Sequence, residues 1–172
     1  MNSQRILLVG GLMLFLLSLG YGLFYDGFIL HAQHHSLLYN LDMALTMAAK
    51  GDITMASSFA GQFGAESETR DIQARIPLHL ALAGAMTAVP LWLAPKLTIS
   101  ERMKRIMALF IVSGGMTLAA GDFIRVETAA TGLGYYLVLA GYSWTALGVL
   151  GYFLYAALHF WLHEEDTRSR RG

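Results

Sequence analysis

The fold of this chain is decided by two adjoining stretches of sequence, ILLVGGLMLFLLSLGYGLFY at residues 6–25 and DGFILHAQHHSLLYNLD at residues 26–42. The first stretch carries no charge over 20 residues. At ~1.5 Å per residue, a helix of that length crosses the ~30 Å hydrocarbon core of a bilayer. No small-x-small cleavage site follows it, so we interpret it as a retained membrane anchor rather than a cleaved signal.

The composition extends this interpretation to the whole chain. Of the 172 residues, 55% are hydrophobic and only 14% are charged, whereas a soluble domain carries about 25% charged residues. The excess apolar surface must therefore face lipid. The absence of cysteine excludes disulfides, thiolate metal ligands and cysteine nucleophiles. The sequence also has no GxGxxG, P-loop, GxSxG or HExxH motif, so nothing in it indicates a nucleotide site, a hydrolase or a nucleic-acid partner.

Hydrophobic runs and helix signals predict an all-α, integral membrane four-helix bundle that forms a single domain over residues 1–172. The spans are expected at about 5–30, 76–94, 100–121 and 133–163. Between the first two spans lies an outer segment, 31–75, and after the last lies a charged tail, 164–172.

Local signals refine these boundaries. A short helical segment at 53–63 is expected to lie over the bundle, and the polar residues 64–75 are expected to form a solvated connection. Pro77 suits the first turn of the second span, and Pro90 should kink its far end. Gly121 is the expected C-cap of the third span.

The lysines and arginines predict the orientation, because loops on the cytoplasmic side are enriched in them. Eight of the twelve fall on the side that holds the N-terminus, the loop at 94–105 and the tail. Both termini should therefore be cytoplasmic, with residues 26–75 and 121–132 outside, in a bacterial inner (plasma) membrane. The eight basic residues are Arg5, Lys96, Arg102, Lys104, Arg105, Arg168, Arg170 and Arg171.

Histidines are the clearest candidates for chemistry. His31, His34 and His35 stand at helical spacing i, i+3 and i+4, which places them on one side of a helix. His79 enters the second span from the same membrane face. Imidazoles at a membrane edge indicate a metal or haem site.

We therefore predict a site at the outer face with His31, His34, His35 and His79 as metal ligands. Nitrogen and carboxylate ligands suit Cu(II), Zn or non-haem Fe, and copper is our first choice. Alternatively, His79 facing a histidine of the first span would bind haem b. The supporting carboxylates would be Asp26, Asp122 and Asp42.

Each of these residues also has a plain structural interpretation. Interfacial histidines often hydrogen-bond loops or headgroups, and the two aspartates at span ends, Asp26 and Asp122, can simply be interface residues. His159 and His163 form a second i, i+4 pair, and they suit the negative end of a helix dipole. A second metal or haem there is the other possibility. Packing and interface roles are expected for the tyrosines Tyr135, Tyr136, Tyr142, Tyr152 and Tyr155.

Glycines recur every seven residues in the last span, at Gly134, Gly141 and Gly148. Such a repeat of the smallest residue makes a seam along which another helix can approach closely. The seam predicts a compact bundle, and it is also a candidate face for other membrane subunits.

The residues Asp26-Gly27, Leu30-His31 and His34-His35 resemble the signature of an uncharacterised family of small bacterial multi-span membrane proteins. Members of that family are regarded as companions of copper or haem oxidase assembly. The resemblance covers about ten of the 172 residues. It departs from the family pattern because the His-His pair comes three residues early, which moves those imidazoles to another helical face.

The sequence thus favours an accessory membrane protein, or a subunit, of a respiratory or oxidative complex with a histidine-rich metal site. The alternatives are a b-type haem electron-transfer subunit, a purely structural subunit without cofactor, and a quinol-linked oxidoreductase. No reaction is indicated by the sequence, so a non-catalytic role is preferred.

Overall fold

The computed structural model describes residues 2–127 and 131–169, apart from the side chains at positions 131, 160 and 162–169. Throughout this part of the chain the secondary structure is helical, without strands. The elements are α1 (Ser3–Phe24), a π-helical turn (Tyr25–Ile29), α2 (Leu30–Ala49), α3 (Ile53–Met86), α4 (Ala88–Leu93), α5 (Glu101–Glu127) and α6 (Thr131–Ser169).

Within the described residues, four stretches of helix are long and apolar enough to cross a membrane. This confirms the prediction of an all-helical, multi-pass membrane protein. The stretches are Ser3–Ala49, Ile53–Leu93, Glu101–Glu127 and Gly132–His159.

The first helix continues through the histidines, as expected from the absence of proline, but it does so through a π-helical turn at Tyr25–Ile29. A π-helical turn closes i→i+5 hydrogen bonds and so changes the face presented by the residues after it. The hydroxyl of Tyr25 donates to the carbonyl oxygen of Arg70 at 3.2 Å, which fixes this turn against α3.

The prediction of a short segment at 53–63 and a solvated connection at 64–75 was wrong, because one helix runs from Ile53 to Met86. The polar first half of α3 is helical and packs beside α2 instead of forming a loop. Two side-chain hydrogen bonds join the helices, from Gln33 to Gln73 at 2.6 Å and from Ser36 to Glu66 at 2.7 Å.

The two prolines of the second span behave differently from each other. Pro77 lies inside α3 instead of in a first turn, so that expectation was wrong. The carbonyl oxygen of Pro77 accepts a hydrogen bond from the hydroxyl of Ser18 at 2.7 Å, which joins this part of α3 to α1. Pro90 does disrupt the far end as expected, because α3 stops at Met86 and the short α4 follows Thr87.

Two clusters of buried apolar side chains form the core. One lies where α1 and α5 begin and contains Ile6, Leu7, Leu93, Ala94, Leu97, Met107, Ala108, Ile111, Tyr152 and Ala156. The other lies deeper along α1 and contains Leu14, Ile76, Leu80, Ala83 and Ala119. The second cluster includes Leu80, next to His79 on α3, and Ala119, one turn before Asp122 on α5. His79 and Asp122 therefore lie at the level of this cluster.

A buried lysine, Lys104, lies beside the first cluster and hydrogen-bonds to the backbone there. The ammonium group of Lys104 donates to the carbonyl oxygens of Ala94, at 2.6 Å, and Leu97, at 2.8 Å. The hydroxyl of Tyr152 donates to the carbonyl oxygen of Lys104 at 2.8 Å. These bonds satisfy carbonyls that the end of α4 leaves open, and they hold the α4–α5 connection against α6.

Glycines bring α5 and α6 together. A Cβ atom added to Gly141 would lie 2.7 Å from the amide nitrogen of Leu118 and 2.8 Å from the carbonyl oxygen of Gly114. A Cβ atom on Gly121 would lie 2.8 Å from the carbonyl oxygen of Gly134. Backbone therefore meets backbone along the seam, and the prediction of a close helix contact there is confirmed.

Two expectations about this seam need correction. Gly121 does not end the third span, because α5 continues through it to Glu127, and its role is packing against α6. The face of Gly134, Gly141 and Gly148 is covered by α5 of the same chain. A partner subunit would therefore need a different surface.

Replacing Gly141 by alanine should destabilise the bundle by about 1–3 kcal/mol, because its new methyl group would meet backbone that cannot rotate away. Gly20→Ala is the matched control, since nothing lies within 4 Å of a Cβ at that position of α1. Unfolding in mixed micelles, followed by circular dichroism, gives both values. Equal stability of the two variants would contradict the close packing of α5 against α6.

Candidate functional site

His79 and Asp122 meet inside the bundle. Only 8% of His79 and 1% of Asp122 is exposed. Nδ1 of His79 lies 2.8 Å from Oδ2 of Asp122, although the two groups are not aligned as a linear hydrogen bond. The contact is therefore a close polar pair, and it joins α3 to α5 at the level of the second apolar cluster.

Tyr142 reaches the same histidine from α6. Its hydroxyl lies 2.8 Å from Nε2 of His79, and the two rings meet edge to face with their centroids 5.5 Å apart. Half of Tyr142 is exposed, so one side of it faces the surroundings of the bundle. Both ring nitrogens of His79 are thus in contact with polar groups, one from α5 and one from α6.

The partners determine where the protons lie when the imidazole is neutral. An ionised carboxylate only accepts hydrogen bonds, so we assign the hydrogen of the neutral imidazole to Nδ1, the nitrogen 2.8 Å from Asp122. Nε2 is then an acceptor, and the hydroxyl of Tyr142 donates to it. This assignment follows from the donor and acceptor capacities of the groups.

Arg125 completes what we call the His79 centre, which consists of His79, Asp122, Tyr142 and Arg125. A guanidinium nitrogen of Arg125 lies 3.4 Å from Oδ1 of Asp122, and 22% of that side chain is exposed. A carboxylate alone in a bundle would be strongly disfavoured, and an adjacent opposite charge offsets much of that cost. With a neutral imidazole, the charges of the four groups sum to zero.

A cavity of about 220 Å³ adjoins this centre, and we call it the Tyr142 cleft. Its polar lining comes from His79, Tyr142 and Thr145, and its remaining walls are the apolar side chains of Leu78, Leu82, Ala83, Met86 and Leu118. A neighbouring cavity of about 330 Å³ shares Met86, Tyr142 and Thr145 with it. Together they form a hydrophobic recess with a few polar groups, which is the usual character of a small-molecule site.

The three histidines of α2 are placed differently. His31, His34 and His35 are all exposed. The ring centroids of His31 and His35 are 5.0 Å apart, and those of His34 and His35 are 6.4 Å apart. Asp26, His31 and His34 also line a cavity of about 260 Å³ together with Leu30 and Arg70. The sequence had placed these imidazoles on one side of a helix, and the structure brings them together.

His79 is not beside them. The hydrogen bond between Gln33 and Gln73 shows that α2 packs along the earlier part of α3. His79 lies further along α3, about 9 Å beyond Gln73 at ~1.5 Å per residue, and its nitrogens face α5 and α6. In the described part of the chain, no three His, Asp or Glu residues are arranged to hold one metal ion. The four-histidine metal site stays a prediction.

The remaining candidates are dispersed. Asp42 is exposed on the later part of α2. His159 lies 3.5 Å from the hydroxyl of Thr98, measured from its Nδ1. The side chain of His163 is outside the described residues, so the pairing of His159 with His163 stays a prediction.

Two members of the His79 centre were not anticipated as site residues. Tyr142 directly follows Gly141 in the seven-residue glycine repeat, which places it at the edge of the face turned to α5. Arg125 stands three residues after Asp122, the spacing at which helix neighbours form ion pairs. Both signals are present in the sequence, but they acquire meaning only once α5 is known to be the partner of the glycine face.

Comparison with models of protein families, with curated proteins and with solved structures found no match for this chain. The functional argument therefore depends on the geometry of the chain itself.

Replacing Asp122 by alanine should destabilise the protein by about 3–5 kcal/mol, because it leaves Arg125 and His79 without their buried partner. Asp26→Ala is the matched control, and as an exposed substitution it should stay within about 0.5 kcal/mol of the wild type. Unfolding in mixed micelles measures both. A small effect of Asp122→Ala would mean that the carboxylate is not the group that holds this centre together.

Proposed function

We propose that this chain is a four-span protein of a bacterial inner membrane, with both termini cytoplasmic, that serves a respiratory or oxidative complex as an accessory protein or subunit. We further propose that its working part is the His79 centre, which passes a proton between the Tyr142 cleft and the outer end of the bundle. The orientation is supported by the excess of lysine and arginine near the termini and in the loop at 94–105.

The observation that carries the proposal is the contact of both nitrogens of His79 with groups that can give or take a proton. A proton that arrives at the oxygen of Tyr142 allows the hydroxyl of Tyr142 to give its own proton to Nε2. The imidazolium formed in this way lies 2.8 Å from the carboxylate of Asp122. Ionisable residues inside a membrane bundle are expensive to bury and commonly mark proton pathways.

A purely structural subunit is the competing interpretation, because polar side chains also join helices in membranes. The exposure of Tyr142 favours the relay. Half of Tyr142 is exposed and it lines a cleft, so a molecule in the cleft can contact this tyrosine, which a packing role does not require. Arg125, at the opposite end of the centre, is also partly exposed.

The relay predicts that the Nδ1 hydrogen of His79 exchanges readily with bulk water although the residue is buried. Asp122→Asn should slow that exchange by about a hundredfold or more, because the carboxylate acts as the proton acceptor. Exchange is measured by nuclear magnetic resonance on protein with isotope-labelled histidine in nanodiscs. Asp26→Asn is the control and should leave the rate unchanged.

Exchange at His79 that is equally fast in the wild type and in Asp122→Asn would overturn the relay. Asn keeps the size of Asp, so a folded Asp122→Asn variant with wild-type exchange would leave the centre only a packing role.

A second candidate function is supported by a separate observation on α2. The ring centroids of His31 and His35 are 5.0 Å apart at i, i+4, and both residues are exposed. We propose that one ion, with water in its remaining positions, binds this pair. Imidazole ligands suit Cu(II), with zinc or iron as the alternatives. Asp26 and His34 stand close enough to line one cavity with His31. Copper on α2 would give the accessory role its metal.

A b-type haem is less well supported. An iron atom at Nε2 of His79 would have to displace the hydroxyl of Tyr142, and one at Nδ1 would have to displace Asp122. The α2 histidines are exposed, so copper bound there would not have to displace a buried partner.

The copper hypothesis predicts that the protein binds one Cu(II) through His31 and His35. The double variant His31→Ala, His35→Ala should weaken binding by more than the ~10–100-fold expected from losing a group that only orients a ligand. Electron paramagnetic resonance during a Cu(II) titration in nanodiscs measures this, with Leu38→Ala, at an exposed position of the same helix, as the control. Unchanged affinity in the double variant would remove copper from α2.

A further inference from the structure

The Tyr142 cleft is a recess in the apolar part of the bundle with its polar groups at one place. Its volume is about 220 Å³, and an apolar cavity of about 150 Å³ is enough to hold benzene. One substituted aromatic ring therefore fits. Because the surrounding walls are apolar, a molecule that enters must be soluble in lipid.

The hydrogen-bond direction at Tyr142 restricts what the head of such a molecule can be. Tyr142 has one hydroxyl hydrogen, and its oxygen lies 2.8 Å from Nε2 of His79. In the tautomer that we assigned above, with the imidazole hydrogen on Nδ1, Tyr142 donates that hydrogen to Nε2. The oxygen of Tyr142 is left with lone pairs only, so a bound molecule must supply a donor. A hydroxyl group meets this requirement, whereas a carbonyl or an ether oxygen does not.

We infer that the Tyr142 cleft binds lipid-soluble phenols of the hydroquinone class, with the hydroxyl of the ligand donating to the oxygen of Tyr142. This inference rests on the proposed relay and names the class of molecule that the relay serves. An aromatic hydroxyl is preferred to an aliphatic one because a phenol gives up its proton more readily than an alcohol does.

The proton step balances without any further reactant. The O–H bond of the bound phenol breaks, and its proton joins the oxygen of Tyr142 while the proton of Tyr142 moves to Nε2 of His79. The products are a bound phenolate, which accepts a hydrogen bond from Tyr142, and an imidazolium beside Asp122. No electron is transferred in this step.

The remaining walls suit an aromatic ring. Met86 lines both neighbouring cavities, and a thioether contacts aromatic rings favourably. Leu82, on the rim of the cleft, is half-exposed. An aliphatic tail on the ligand can leave the cleft past this rim toward lipid, or along the second cavity beside Val149 and Leu150.

The test uses the full chain in nanodiscs, kept anaerobic, with decylhydroquinone as the probe. Retained ligand is quantified by chromatography after equilibrium washing. The wild type should retain decylhydroquinone in proportion to protein, and its dimethyl ether, which has no donor, should bind about tenfold more weakly. Equal binding of the hydroquinone and its dimethyl ether would overturn the inference.

Tyr142→Phe isolates the hydroxyl, because it preserves the ring and the fold of α6. This variant should bind decylhydroquinone about tenfold more weakly and should no longer distinguish it from the ether. Tyr136→Phe is the matched control, since Tyr136 is an exposed tyrosine on the same helix. Wild-type affinity in Tyr142→Phe would also overturn the inference.

A second variant tests the location of the ligand without touching the polar centre. Leu82→Trp should fill the rim of the cleft and abolish retention, whereas Leu147→Trp, at an exposed position of α6, should not. Undiminished retention in Leu82→Trp would place the ligand elsewhere and overturn the inference.

The ligand and the relay can fail separately. If histidine exchange depends on Asp122 but decylhydroquinone does not bind, the relay stands and the ligand class is wrong. If decylhydroquinone binds through Tyr142 but exchange does not depend on Asp122, the binding site stands and the relay is wrong.

Discussion

The close approach of α5 and α6 is the constraint on which the rest of this structure depends. Along the seam, a Cβ atom on Gly121 or Gly141 would lie within 3 Å of backbone atoms of the other helix. Asp122 and Tyr142 directly follow these two glycines, so the glycine contact sets the height at which the carboxylate and the phenol face each other. His79 of α3 then fits between them and reaches both. A larger residue in the seam would move Asp122 and Tyr142 apart without changing either side chain.

Two buried ionisable residues show how the bundle treats charge in different ways. The ammonium group of Lys104 donates to two backbone carbonyl oxygens, and the carbonyl oxygen of Lys104 accepts a hydrogen bond from Tyr152. None of these partners can take up its proton, so its role is to close the end of the bundle. Asp122 instead contacts an imidazole and a guanidinium, and the imidazole can change its protonation state. Burial alone therefore does not indicate function, and the titratable partner of Asp122 is what led us to propose the relay there.

The four spans could be predicted because uncharged runs of this length have few other stable environments. The extent of α3 could not, because its polar half has no hydrophobic period of its own and is stabilised by α2 through contacts such as Gln33–Gln73. The sequence placed His79 and Asp122 at the same membrane face, and they do meet. It could not indicate which side of each helix they occupy, because these helices are apolar on most sides and lack a clear amphipathic stripe. The packing of α5 against the glycine face, which places Tyr142 near His79, is a tertiary contact that the sequence pattern did not identify.

The histidines lie in two different surroundings, one exposed and one buried, and each favours a different chemistry. The α2 histidines are exposed at the polar end of the first span, where their lone pairs are accessible to a hydrated metal ion. His79 is buried among apolar side chains, and both of its nitrogens contact protein groups. A metal ion could bind His79 only by displacing Asp122 or Tyr142, whereas a proton could be added without displacing either. In the proposed function, a molecule that acts on His79 arrives through lipid and contacts Tyr142. In the functions that we propose, the same side chain would serve a soluble cation at one place and a proton at the other, because its partners and its surroundings differ.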